Sequence, residues 1–369
     1  MKIYYFLTLI SFLLISCGSK TIKGELFEIP VDIDQNISLP LSEITEILTA
    51  VELELTDKSL INKDQIKRII IFEDNIIIAE VFKILVFNKD GKYVRSIGAR
   101  GQGPGEYNFI MNLALDEKNK RLFILCLGSS RIFCYDLEGK FLKSLYVPKI
   151  FIDDLYYTNE ELLIIGHDIN KDSETGIYNM SALLYRLNDN SEVIDSCIFR
   201  TNSFTGGSVS LTSSSNFILR GRTSDYMYYS EVYNERANPV ENVLRDTLYC
   251  LKKNKLAPEL KLKFKNDGIS GGSKFIDLSN IYRSSRYVFS IYKNNQNKKN
   301  KYHFCYDTKT GKGYNMRDGY TDDINGIEEP VTIYPFNHNT EMFYYLHTNM
   351  KPDDLEEPNP TLYIGRLKK

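Results

Sequence analysis

The side chains best suited to binding chemistry lie in a tyrosine-rich segment between residues 221 and 245. A tyrosine ring is flat and apolar and carries a polar hydroxyl at its tip, which suits it to contacts with glycans or peptides. The same rings can instead pack a long loop onto its own domain, so both interpretations stay open. The candidate binding residues are Arg222, Tyr226, Tyr228, Tyr229 and Tyr233.

The glycine-rich segment GARGQGPGEY, residues 98–107, is a second candidate for binding chemistry. Four glycines and one proline between residues 98 and 105 exclude a regular helix or strand and predict a shaped loop. The backbone N–H groups of such a loop, together with Arg100, are suited to holding an anion. The alternative is a connector between strands in which the Glu106 carboxylate bonds the backbone. The connector is favoured because no helical pattern follows the loop.

Motifs for catalysis are scarce. The four histidines are scattered without the spacing of a metal-ligand motif, and the sequence contains no CxxC or Walker-type loop. A pair of glycosidase carboxylates stays open, because two such acids can lie far apart in a chain. The chain has 46 basic residues (Lys and Arg) against 48 acidic ones, and this near-neutral balance gives no support for nucleic acid as a partner.

The elements that must position these residues are revealed by a repeat. Residues 86–97 align with residues 134–145 at an offset of 48, and each copy reads as a strand, an acid-glycine turn and a returning strand. The turns are Asp90-Gly91 and Glu138-Gly139. A repeat of this length, built from short apolar runs, indicates one four-stranded blade of a β-propeller.

The residues between the two hairpins carry a family resemblance. Gly98, Gly101, Gly103-Pro104-Gly105 and Glu106-Tyr107 are followed by the apolar runs 113–115 and 122–124, in the order of an NHL-type propeller repeat. Over residues 60–146 the chain resembles the six-bladed propeller lipoproteins of Bacteroidetes. The resemblance implies an all-β fold with six blades of four antiparallel strands.

The recurring short apolar runs along the rest of the chain give bounds for the other blades. An alternating strand at residues 51–55 is expected to pair with the last blade and close the ring, so that no strand edge is left exposed. The predicted blades span residues 66–97, 109–145, 151–199, 217–264, 275–316 and 324–367.

The propeller resemblance also implies an alternative site. Six-bladed lactonases and related hydrolases bind Ca²⁺ or another divalent cation in the central channel, through oxygen ligands from several inner strands. A metal hydrolase is therefore the alternative to a binding protein. A sialidase-like function is disfavoured because the chain has no tryptophan for the sequence box of those propellers. The candidate metal ligands, placed at or near the starts of inner strands, are Asp64, Asn112, Asp153 and Asp154.

The N-terminus predicts export and a lipid anchor. One lysine precedes an apolar run at residues 3–15, which is shorter than the ~20 residues that a membrane-spanning helix needs. The sequence Leu14-Ile15-Ser16-Cys17 resembles a lipobox, so residues 1–16 are expected to be a signal peptide and Cys17 the acylated residue. Several acyl chains would anchor the protein firmly to a membrane. Residues 17–40 are then the lipidated cysteine and its tether, and residues 41–369 the propeller.

Together these patterns predict a lipid-anchored propeller of the cell envelope, with a periplasm-facing outer-membrane position favoured over the cell surface. Its expected role is that of a non-catalytic binding or scaffold module for a glycan or a protein, without a cofactor. The membrane, through acylated Cys17, is the other predicted partner.

Overall fold

The chain forms a ring of six β-sheets, each of which runs from an inner strand at the axis to an outer strand at the perimeter. The structure is a computed structural model. It describes residues 26–127, 131–146, 151–188, 190, 192–205, 209–211, 217–229, 232–234, 244–252, 255–270, 273–296, 300–350 and 357–369.

The first three blades follow the chain from inside to outside, with antiparallel neighbours throughout. Blade 1 consists of Ile66–Phe72, Asn75–Glu80, Ile84–Asn88 and Tyr93–Ser96. Blade 2 consists of Ile110–Asp116, Arg121–Cys126, Arg131–Asp136 and Phe141–Tyr146. Blade 3 consists of Phe151–Thr158, Glu161–Lys171, Ile177–Leu187 and Val193–Thr205.

The last three blades include the irregular one and the one that closes the ring. The antiparallel part of blade 4 consists of Ile218–Arg220, Asp225–Met227, Thr247–Lys252 and Lys255–Phe264. Blade 5 consists of Ile276–Arg283, Tyr287–Asn294, Asn300–Asp307 and Lys312–Arg317. Blade 6 consists of Tyr334–Phe336, Asn339–His347, Thr361–Leu367 and Thr45–Glu52. The predicted six-bladed, all-β fold is confirmed.

The ring is closed by its own N-terminal region, as the sequence predicts, although the closing strand spans residues 45–52 and not the expected 51–55. Strand Thr45–Glu52 forms the outer strand of blade 6 and pairs antiparallel with Thr361–Leu367. A single helical turn, Leu41–Ile44, leads into it and buries Leu41 and Ile44. The first and last parts of the propeller are thus joined in one sheet.

An earlier segment also belongs to the propeller, contrary to the expectation that residues 17–40 are a tether. Strand Phe27–Val31 runs parallel to Lys255–Phe264 and adds a fifth, outermost strand to blade 4. Its alternation places Ile29 and Val31 in the core, where they are 0% and 4% exposed. Any tether is therefore confined to the residues before this strand.

The core is divided among the interfaces between blades. In the described part of the chain, the buried apolar side chains form six clusters, and each cluster lies between two neighbouring blades. The cluster between blades 6 and 1 contains Val51 from the closing strand together with Ile78 and Leu362. Every blade therefore buries both faces, which is what a closed ring of sheets achieves.

The remaining elements are short. Three two-stranded antiparallel sheets pair Val209–Leu211 with Val232–Asn234, Ile269–Ser270 with Ser273–Lys274, and Tyr320–Asp322 with Ile327–Val331. Single 3-10 turns are Lys63–Gln65 and Lys265–Gly268. Across the described ranges, the helices are all too short to cross a lipid bilayer.

A glycine substitution tests the closure. Gly91 has φ +80°, and a Cβ there would lie 2.0 Å from the Glu52 carbonyl oxygen on the closing strand. Gly326 has φ +71° with nothing near its Cβ position, so Gly326→Ala is a matched control. Both variants should lose about 1 kcal/mol from the left-handed conformation. Gly91→Ala should lose about 2 kcal/mol more, because the closing strand must shift. Urea unfolding measures both, and equal losses would contradict the close approach.

Candidate functional site: the axial cavity

A β-bulge recurs in the inner strands of blades 1, 2, 3 and 5. In each strand the pairing register skips one residue, and the next paired residue carries a polar side chain. A bulge redirects side chains and is common next to functional sites. The residues at this position are Arg68, Asn112, Asp154 and Asn280.

Arg68 forms the centre of a buried network near the axis. Its side chain is 3% exposed and donates hydrogen bonds to Asp154 Oδ1 at 3.1 Å and to the Leu155 carbonyl at 3.3 Å, both in blade 3. It also donates to the Leu113 carbonyl in blade 2. One guanidinium therefore connects the inner strands of three blades.

Asp154 extends this network to a fourth blade. Its carboxylate accepts from the Leu155 N–H at 2.7 Å, from the Phe217 N–H of blade 4 at 2.9 Å, and from the Asn112 side chain. Burial raises the pKa of the Asp154 carboxyl, while Arg68 and the two backbone N–H groups oppose that rise. The charges are thus matched inside the protein, away from water.

A cavity of about 770 Å³ opens on the side of this network where the inner strands end. It is lined by the last residues of inner strands and the turns after them in blades 2, 3, 4 and 6, with Arg68 at its buried end. Its volume lies within the range of ligand pockets, roughly 300–1,000 Å³. The side chains that give it polar character include Tyr156, Thr158, Arg220, Arg222, Asp225, Asn337 and His338.

Asp225 and Arg220 organise the blade 3 and blade 4 walls. The Asp225 carboxylate accepts from the Tyr156 hydroxyl at 3.0 Å and from the Thr158 hydroxyl at 3.1 Å. Arg220 lies 3.9 Å from the same carboxylate and makes long hydrogen bonds to the Tyr157 carbonyl and the Thr158 hydroxyl, at 3.4 and 3.3 Å. Burial raises the pKa of Tyr156, so its hydroxyl remains a donor.

His338 and Arg222 are two further polar groups of the cavity, on blades 6 and 4. Burial, with the positive charges of Arg220 and Arg68, lowers the pKa of His338 to about 4, so its imidazole is neutral at pH 7. Arg222 is exposed, and none of the described residues contacts it as a hydrogen-bond or ion-pair partner. The cavity thus presents a neutral imidazole and a guanidinium without a partner among the described side chains.

The tyrosines expected at a binding rim are largely core residues. Tyr226, Tyr228 and Tyr229 are 8%, 5% and 4% exposed. Tyr226 belongs to the short second strand of blade 4, which the sequence analysis missed. Tyr228 donates to the Leu278 carbonyl of blade 5 at 3.2 Å. These three rings therefore offer no exposed platform, because they fill the interfaces of blade 4. The Tyr233 side chain lies outside the described residues. Of the other four candidates, Arg222 is the one that is exposed at the cavity.

The glycine-rich loop has the features of a connector. The Glu106 carboxylate accepts from the Gly103 N–H at 2.8 Å, and a Cβ at Gly101 would lie 1.9 Å from this carboxylate. The Arg100 guanidinium lies 4.2 Å from the centre of the Phe82 ring. The protein's own carboxylate thus takes the place that an anion would have, and Arg100 is directed to an aromatic ring.

The four candidate metal ligands do not converge. Asn112 and Asp154 meet, but the cation beside them is Arg68. Asp153 is the extra residue of its bulge and lies 2.9 Å from His167 Nδ1, while Asp64 belongs to the 3-10 turn Lys63–Gln65. Within the described ranges, no three His, Cys, Asp or Glu side chains are grouped as metal ligands. The expected ligand set is therefore corrected: the bulge separates Asp153 from Asp154.

Sequence reasoning missed most of the cavity. One signal was available for Arg68, which together with Lys67 interrupts the otherwise apolar inner strand IKRIIIF. The bulge positions share a second signal, an aliphatic residue two places before a polar one. Arg220 ends, Asp225 begins and His338 follows a strand of only three residues, whose pattern is too brief to place a side chain at the axis.

Comparisons with known proteins agree with this fold. A family model described as "Domain of unknown function (DUF4934)" matches residues 26–363. A crystal structure of a Bacteroides fragilis protein described as exported is 18% identical with a TM-score of 0.65, covering 93% of this chain and 99% of that one. A member of the duf4221 family from Bacteroides vulgatus is 9% identical with a TM-score of 0.46, covering 88% and 97%. At 18% identity, the likeness to the Bacteroides fragilis protein concerns the fold alone. No curated protein matches the chain.

The buried ion pair leads to a prediction about stability. Arg68→Met leaves the Asp154 charge buried without its counterion and should cost about 3–5 kcal/mol of unfolding free energy. Asp154→Asn keeps an acceptor for the backbone N–H groups and removes the charge. The double variant should therefore be more stable than Arg68→Met alone. Urea unfolding of the four proteins gives the coupling energy, and strictly additive losses would show that the two side chains do not interact.

Proposed function

We propose that this chain, which belongs to the DUF4934 family, is a ligand-binding propeller of the cell envelope whose ligand enters the axial cavity. The observation that carries the proposal is the cavity itself. It is large enough for a small ligand, it is open at one end of the axis, and it brings together polar side chains from several blades. Ligand sites are typically concave and carry a few convergent polar groups.

The arrangement of the cavity walls favours binding over chemistry. Asp225 is held by the Tyr156 and Thr158 hydroxyls, and His338 is neutral at pH 7. Groups that are fixed by their neighbours in this way provide a pre-organised surface for a ligand. The ligand classes that we propose are those expected from the sequence, a glycan or a segment of another protein.

The envelope location rests on the N-terminal sequence. Residues 1–25 lie outside the described part of the chain, so lipidation of Cys17 stays a prediction from its lipobox-like context. The similar Bacteroides fragilis protein is described as exported, which supports the same location. A lipid anchor would hold the propeller at a membrane surface while the cavity remains available to ligands.

A single tryptophan provides a direct test of the cavity. The chain has no tryptophan, and Thr223 is an exposed residue of the cavity lining. In Thr223→Trp, the emission of the new side chain should shift saturably with at least one of three probe sets: neutral disaccharides, acidic disaccharides or tripeptides. The control is Leu60→Trp, at a 53% exposed position outside the cavity lining.

The expected result is a shift in the cavity variant and none in the control. An absence of any shift across the three probe sets would count against a ligand site in the cavity. Equal shifts in the two variants would indicate non-specific contact and would also argue against the proposal.

The anchor has a separate test. Wild-type protein expressed with its own N-terminus should stay with the membrane fraction after high-salt and carbonate washes and require detergent for release. Cys17→Ser removes the thiol that would be acylated and should move the protein to the soluble fraction. If both proteins fractionate alike, Cys17 does not anchor the chain.

A further inference from the structure

The charges that line the axial cavity differ in whether they already have partners. Two acidic side chains are paired with basic ones: Asp116 accepts from Arg121 Nε at 2.9 Å, and Glu160 pairs with Lys118. Asp225 accepts two hydroxyl hydrogen bonds, and Arg68 is engaged with Asp154. Within the described residues, the lining charges without a close ion pair are the exposed Arg222 and Glu117 and the loosely paired Arg220, which lies 3.9 Å from Asp225 and is also acted on by the charge of Glu117.

Two of these three groups are guanidiniums. Arg222 is exposed at the opening without a partner among the described residues. Arg220 uses one terminal nitrogen for two long hydrogen bonds, lies 3.9 Å from Asp225 and 6.0 Å from the centre of the Tyr156 ring, so its contacts among the described residues are long ones. Glu117 is an exposed residue after the inner strand of blade 2. The free donors of the cavity therefore favour an anionic group.

The chemistry of these donors favours a carboxylate. A guanidinium is planar and offers parallel N–H groups that match the two oxygens of a carboxylate. A single group of this kind, placed between Arg220 and Arg222, would satisfy donors that the protein leaves open.

The uncharged part of the wall favours hydroxyl groups beside the carboxylate. Thr223, Ser224, Asn337 and His338 provide hydroxyl, amide and neutral imidazole groups in the same cavity. Such groups both donate and accept, as the hydroxyls of a sugar do. A peptide would also bring a carboxylate at its C-terminus, and trialanine is therefore the probe that distinguishes it from a saccharide.

We propose that the axial cavity binds an acidic saccharide, with the sugar carboxylate paired to Arg222 and Arg220 and its hydroxyls bonded to the neutral wall. This inference rests on the proposed function and names the ligand class for the same site. It makes Arg222 the residue that selects acidic over neutral sugars.

The test compares digalacturonate with its methyl ester, which has the same rings without the charge. Isothermal titration calorimetry on the wild-type protein should show the ester binding at least about tenfold more weakly, since a hydrogen-bonded charge pair is lost. Arg222→Gln should weaken digalacturonate binding by a similar factor and leave ester binding unchanged, while Arg222→Lys should retain part of the affinity. Affinity for the acid should also fall as salt rises.

Arg100→Gln is the matched control, because Arg100 is also exposed but lies over Phe82 outside the cavity lining. Its affinity should equal that of the wild type. Equal binding of acid and ester, or an unchanged affinity in Arg222→Gln, would overturn the acidic-saccharide inference and leave the proposed function standing. If trialanine binds, its binding is lost in Arg222→Gln and digalacturonate does not bind, the ligand class would be a peptide and the acidic-saccharide inference would be overturned. Failure of every probe, together with a silent Thr223→Trp sensor, would remove the proposed function itself.

Discussion

Arg68 is the constraint on which the centre of this propeller depends. Moving a guanidinium out of water costs several kcal/mol, and the structure offsets that cost only because a carboxylate and two carbonyl groups, from two different blades, meet it at the right distances. The Asp154 carboxylate in turn accepts a hydrogen bond from the Phe217 N–H, just before the inner strand of blade 4. The inner strands of four blades are therefore fixed relative to one another around a point near the axis. A channel blocked at that point becomes a cavity with a closed end, so the same interaction that organises the ring also gives the candidate site its depth.

The perimeter obeys a different constraint, the need to cover strand edges. An outer strand presents unpaired backbone groups, and two N-terminal segments pair with such edges in blades 6 and 4. Thr45–Glu52 supplies the outer strand that blade 6 lacks, whereas Phe27–Val31 adds a strand to a blade that already has four. This addition also buries Ile29 and Val31 between blades 4 and 5. The first described part of the chain is thus structural, because it pairs with the outer edges of both blade 4 and blade 6.

Features that depend on local sequence patterns could be predicted, whereas features that depend on contacts between distant parts of the chain could not. The acid-glycine turns and the alternation near Val51 are local, so the blades and the closure follow from them. The five residues of Phe27–Val31 alternate too briefly to be distinguished from a polar tether, and their partner is more than 220 positions away. Burial of Tyr228 and Tyr229 depends on blades 3 and 5, which no local pattern reveals. The cavity was the least predictable part. Most of its residues come from the ends of different inner strands, and they come together in space only when the ring has closed.

The same N-terminal strand limits how an anchored propeller would sit at a membrane. If Cys17 carries the lipid as proposed, nine residues separate it from Phe27, and even a fully extended chain spans only about 3.5 Å per residue, or roughly 30 Å in all. Phe27 lies at the outer edge of blade 4, so the tether would leave from the perimeter of the ring and not from the axis. A ring held by its rim on so short a link stays within a few tens of ångströms of the bilayer.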